Sequence, residues 1–113
     1  MRLRPDARRA WQSEMAAGRA ASTAGDLDVA FRHFERAHVI GQRNTWAHTR
    51  AHLAMFAIGW RRRDPRELLG QAMRIPAALT KTLLWVPRGN TGGADVGALR
   101  SLPVPADLAC YLD

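Results

Sequence analysis

Apolar residues return every three or four positions through the first 85 residues of the chain, the period of an amphipathic helix. A first helix is predicted from Pro5 or Asp6 to about Thr23, with Pro5 in a first-turn position. The run TAGDLD interrupts it: Gly25 suits a left-handed C-terminal position, and Asp26 can cap a second helix. That helix runs from Leu27 to about Ile40 and places Leu27, Phe31, Phe34 and His38 on one stripe. Gly41 stops it, and Asn44 or Thr45 caps a third helix from about Trp46 to Arg62. Two stripes are visible there, one of His48, Ala51, His52 and Met55, the other of Trp46, Leu53, Phe56 and Trp60. Two apolar faces predict a central helix. Asp64-Pro65 opens a fourth helix to about Arg74, and Pro76 kinks or restarts the chain toward Trp85.

After residue 85 the period is lost. VPRGNTGGADVGALRSLPVPADL is rich in glycine and proline and reads as a structured tail. Val86, Val96, Leu99, Leu102, Val104 and Leu108 give it apolar residues with which to pack on the helices. The expected fold is therefore all-α. Residues 5–85 form an antiparallel bundle of four to five helices, and an irregular tail over 86–113 packs on it.

Composition narrows the function classes. With 113 residues, one domain spanning 1–113 is expected. The single cysteine, Cys110, excludes an intramolecular disulfide framework and fits a cytoplasmic setting. It reads as a small buried apolar residue, and the four tryptophans read as core. The N-terminus lacks the apolar run of a signal peptide, and no window is apolar enough to span a membrane. The formal charge is +7, with Lys81 the only lysine. The arginines are scattered and no nucleic-acid-binding motif accompanies them, so nucleic acid ranks low as a partner. Arg61, Arg62 and Arg63 stand where positive charge complements the end of a helix dipole.

Two resemblances bear on this reading. AGDLDVAFRHFERAHVI resembles the middle and second helix of a tetratricopeptide repeat, with Gly25-Asp26 at the turn and Ala30, Phe34 and Ala37 at the small and aromatic positions. The likeness implies close helical-hairpin packing, and with it a protein–protein interaction module or homo-oligomer as the alternative function. One repeat does not make an array. More of the chain resembles a bacterial family known as domain of unknown function 3703, through FERAHVIGQ, HTRAH, GQAMRI and VPRGNTGGADV. That resemblance implies a compact, mostly helical protein and carries no activity.

The chemistry concentrates in ERAHVIGQRNTWAHTRAH. Glu35 and His38 are spaced i, i+3, and His48 and His52 i, i+4, so each pair shares a helix face. If the chain folds back at GQRNT, His38 and His48 are equidistant from residue 43, and Glu35 and His52 are centred between 43 and 44. The two pairs then stack at adjacent levels of one hairpin. A carboxylate and three imidazoles near a core need partners. A divalent metal provides one for all four, at about 2.0–2.2 Å from three nitrogens and an oxygen. Glu35, His38, His48 and His52 are thus the candidate metal ligands, with zinc preferred and iron, nickel and copper also compatible. The competing reading is a polar structural network, with Glu35 paired to Arg36 or Arg50. HTRAH lacks the glutamate of the His-Glu-x-x-His proteases, and Glu35-x-x-His38 occurs once, short of a di-iron bundle. No catalytic motif is recognised. His33 lies off the His38 stripe. GNTGG reads as a tight turn with positive φ at Gly89, Gly92 or Gly93. The tail could lie over the hairpin, which makes Asn90, Thr91 and Asp95 candidates for outer contacts to the site.

Overall fold

The computed structural model describes residues 2–81, 90–94 and 101–112. Four helices follow one another: α1 (Pro5–Thr23), α2 (Leu27–Gly41), α3 (Thr45–Arg62) and α4 (Pro65–Lys81). A short 3-10 turn, Ala109–Tyr111, lies near the C-terminus. No strand occurs among the described residues, and the fold is an all-α bundle.

The helix ends have local causes. Gly25 adopts φ 84° after α1. The Asp26 carboxylate accepts from the backbone N–H of Val29 at 3.3 Å and so caps α2. Asn44 caps α3 by accepting from Ala47 N–H at 2.9 Å, and Asp64 caps α4 by accepting from Glu67 N–H at 3.2 Å. Arg63 closes α3 in the left-handed region at φ 53°, a position that usually takes glycine. Its neighbours tie the end of α3 back to the first hairpin. Arg61 donates to the Ser22 carbonyl at 2.7 Å, and Arg62 pairs with Asp28 at 2.7 Å.

Each helix packs chiefly on its chain neighbour, and α1 scarcely meets α3. One core cluster joins Met15 of α1, Phe31 and Phe34 of α2, and Ala51, Met55 and Ile58 of α3. Phe34 fits because Gly18 opposes it; a Cβ at Gly18 would stand 2.4 Å from the ring. A second cluster joins Ala7, Val39 and Ile40 to Leu108 and Leu112, so the end of the tail packs on α1 and α2. Val86, Val96 and Leu99 lie outside the described residues.

Several expectations are corrected. The second face of α3 is not buried: Trp46 is 67% exposed, Leu53 50% and Trp60 68%. With α1 and α3 held apart, no described element covers that face, so α3 has one buried side. Trp46 and Trp60 are therefore surface residues, Trp11 packs at the edge of both clusters, and Trp85 lies outside the described residues. Cys110 is exposed. Pro76 does not end α4, which continues to Lys81 as one helix. Ala72 and Pro76 are both exposed, so the carbonyl deprived of its helical donor can turn to water. No described helix is long and apolar enough to cross a membrane.

Candidate metal centre

Asn44 and the turn before it fold α3 back along α2 and bring three imidazoles together. His38 follows Phe31 and Phe34 on the inner side of α2, and His52 lies beside Ala51 and Met55 on the inner side of α3; both are almost fully buried. His48, one turn earlier on α3, is partly buried. His38 Nε2 stands 3.1 Å from His52 Nε2, and His52 Nε2 stands 3.1 Å from His48 Nε2. The ring centroids are 4.6–4.8 Å apart in all three pairs. One nitrogen from each residue falls within a set spanning 4.8 Å.

The outer nitrogens are fixed by their neighbours. His38 Nδ1 lies 2.7 Å from the Asn90 carbonyl, which can only accept, so Nδ1 carries the proton. His52 Nδ1 lies 2.6 Å from Gln71 Oε1. The direction of that amide follows from its other end. Gln71 Nε2 faces the Glu67 carboxylate at 2.8 Å and the Gly92 carbonyl at 2.6 Å. Two acceptors on that side require the NH2 group, leaving Oε1 toward His52, whose Nδ1 must donate. Glu67 is held in turn by Ala94 N–H at 3.1 Å. In the neutral imidazoles of His38 and His52, Nε2 is then a bare lone pair pointing into the cluster.

Burial pushes all three histidines toward the neutral form. His38 is held well below the usual range, by desolvation and then by His52 and His48, against the raising effect of Asn90. His48 falls to about 3 through desolvation and then His52. His52 falls to about 4, again chiefly by desolvation, with the Gln71 bond raising it and Arg74 lowering it.

The other candidates fall in different places. Glu35 is outside the close group of ligand atoms; it lines a polar cleft with Arg62, Asp64, Arg66 and Glu67. Arg36 bonds Glu14 at 2.8 Å and pairs with Asp107, whose carboxyl the Arg36 hydrogen bond holds below its usual range. Arg50 lies over the rings of Trp11 and Trp46. His33 turns away to Glu14 at 2.8 Å. Asn90 meets the cluster through its backbone carbonyl, while its side chain accepts from Gly92 N–H at 2.8 Å. This local bond and φ 84° at Gly92 make the turn expected of GNTGG. Gly92 also lies against His38, where a Cβ would come within 2.8 Å of the ring. Thr91 is half-buried and is not among the hydrogen-bond partners of the described histidines, and Asp95 lies outside the described residues.

Gln71 and Glu67 were missed by sequence reasoning. Their i, i+4 spacing on α4 shares a face, but an amide and a carboxylate on a helix signal nothing until α4 is seen packed on α3.

A family model described as "Protein of unknown function (DUF3703)" matches residues 5–112. The chain belongs to this family. No curated protein and no solved structure matches the chain. Family membership covers all four helices and the whole histidine cluster but carries no chemistry, so function rests on the geometry of the site.

Proposed function

We propose that the protein binds one divalent metal ion through the Nε2 atoms of His38, His48 and His52. The supporting observation is a proton deficit. Two short Nε2–Nε2 contacts meet at His52. His48 can donate a proton to one of them. The contact between His38 and His52 has none, because both residues hold their protons on Nδ1. A purely structural network would need an extra proton there, making a buried imidazolium that desolvation opposes. A cation shared by three lone pairs removes the conflict.

Nitrogens about 2.0–2.1 Å from a tetrahedral zinc stand roughly 3.3–3.4 Å apart; the two pairs that meet at His52 stand 3.1 Å apart, and all three ligand atoms lie within 4.8 Å of one another. The outer bonds to Asn90 and Gln71 are of the kind that orient ligand imidazoles and fix their tautomer. Zinc is preferred, and iron, nickel and copper(II) are compatible with an all-imidazole set.

The test is elemental analysis of the full chain purified without a histidine tag, with thermal denaturation before and after metal addition. About one equivalent of metal and a raised Tm are expected, since a ligand of the folded state stabilises by mass action. His48→Ala should lower both, and His33→Ala neither. Equal, near-zero metal in the wild type and His48→Ala, with no thermal shift from zinc, iron(II), nickel or copper, would reduce the cluster to a hydrogen-bond network.

A further inference from the structure

α1 and α3 both pack on α2 and scarcely touch each other, which leaves a slot between them where a further helix would complete a bundle. We propose that this slot docks an acidic amphipathic helix of a partner protein. Its floor is apolar: Met15, Phe34 and Ile58 line it and are almost fully buried. Leu53, Ala54 and Ala57 line it from α3, and Arg19 from α1. With a volume of about 500 Å³ it receives side chains rather than only a surface. Both ends are clasped. At one, the Arg50 guanidinium lies 5.9 Å from the ring centres of Trp11 on α1 and Trp46 on α3. At the other, Arg61 on α3 donates to the Ser22 carbonyl on α1 at 2.7 Å. The clasps stand about three helical turns apart along both helices. An occupant of that length is an ordinary helix.

Charge selects the occupant. α3 has no carboxylate, and its arginines are Arg50, Arg61 and Arg62. No acidic side chain lines the slot. Arg19 and Arg50 are exposed on its opposite walls, and neither forms an ion pair among the described residues. A helix with an apolar seam facing down and glutamates on both flanks meets the floor and both arginines at once. The seam supplies the affinity and the arginines choose the sign of the partner. A second copy of this chain fits less well, because each copy carries +7 and brings like charge to the rim. A membrane surface is flat, so it meets the exposed Trp46, Leu53 and Trp60 but not Phe34 and Ile58 on the floor.

The experiment uses two fluorescein-labelled peptides of about 15 residues, long enough to be helical. Both carry one leucine seam at i, i+3, i+4 and i+7, and they differ only in having glutamate or lysine beside it. Fluorescence anisotropy against the untagged full chain measures binding. The glutamate peptide should bind about tenfold tighter than the lysine peptide, and the difference should shrink as salt rises. Leu53→Asp, at a half-exposed position, should abolish binding with Tm unchanged. Arg19→Glu together with Arg50→Glu should reverse the preference. Binding of neither peptide, equal binding of both, or binding that survives Leu53→Asp would overturn the proposal. Two further outcomes would also overturn it by naming another occupant. Sedimentation with phosphatidylserine vesicles that Leu53→Asp removes would assign the surface to a membrane, and a dimer in analytical ultracentrifugation that Leu53→Asp dissociates would assign it to a second copy.

Discussion

The Gln71 amide meets His52, Glu67, the Gly92 carbonyl and Met55 Sδ in such a way that only one orientation works, and that orientation settles which nitrogen of His52 faces inward. Gln71→Met removes the acceptor and leaves the His52 Nδ1 proton buried without a partner. A stability loss of about 1–3 kcal/mol is expected. Metal affinity should fall about 10- to 100-fold, the usual effect of losing an outer-shell partner. Chemical denaturation and zinc titration measure the two. The histidines themselves predict a pH dependence. His48 and His52 titrate near 3 and 4 in the folded chain, against about 6.5 when unfolded. Below about pH 6.5 the unfolded state binds more protons, so stability falls as pH drops toward 4 and is flat above 6.5. The metal-free protein should show this in denaturant midpoints between pH 4 and 8, and in His48→Ala the acid slope should be shallower. The reference histidine value alone would place proton competition for the metal near pH 6. Burial moves it lower for the folded state, toward about 4.

At the scale of the element, the helix ends combine ordinary caps with one exception. Asp26, Asn44 and Asp64 each satisfy a first-turn N–H. Arg63 ends α3 in a left-handed conformation that costs a side-chain-bearing residue roughly 1–2 kcal/mol. Its neighbours Arg61 and Arg62 carry the contacts to Ser22 and Asp28. Arg63→Gly should therefore raise stability, by about 0.5–1 kcal/mol after the added freedom of the unfolded chain is subtracted. A drop in the denaturation midpoint would mean that the Arg63 side chain makes a stabilising contact of its own. This same junction governs the site, because the turn after α3 sets α4 against it and so delivers Gln71 to His52.

At the scale of the whole molecule, the tail holds the fold from two sides. Its first described part, Asn90 to Ala94, bonds His38, Gln71 and Glu67. Its last part buries Leu108 and Leu112 against Ala7, Val39 and Ile40. Val39 directly follows His38 on α2, so the two attachments meet on one helix. Leu108 is 2% exposed, and Leu108→Ala should cost about 2–4 kcal/mol, as large-to-small changes in a packed core do. It should also lower metal affinity by loosening the tail over His38. Thermal denaturation with and without zinc reads both effects, and unchanged stability would show that the tail only rests on the bundle.

The sequence by itself determined the helices and the convergence of the histidines. Helical period, capping residues and glycine stops are local signals, and they fixed α1 to α3 to within about a residue. Because the loop between α2 and α3 is short, equal spacing from residue 43 was enough to bring His38 near His48; the same rule paired His52 with Glu35, whereas His52 Nε2 meets His38 Nε2 at 3.1 Å. What could not be read locally was anything set by the packing of non-neighbouring segments. Trp46, Leu53 and Trp60 carry an apolar pattern whether or not a helix covers them, and the separation of α1 from α3 leaves them exposed. Glu35 has the right spacing from His38, yet i, i+3 side chains diverge by about a sixth of a turn; the structure turns Glu35 toward the Arg62 and Arg66 cleft. Gln71 and the Asn90 carbonyl reach the histidines across 19 and 52 residues of chain. An amide and a backbone carbonyl have no signature in sequence, so only the tertiary fold could decide which imidazole nitrogens hold protons and which are left to bind.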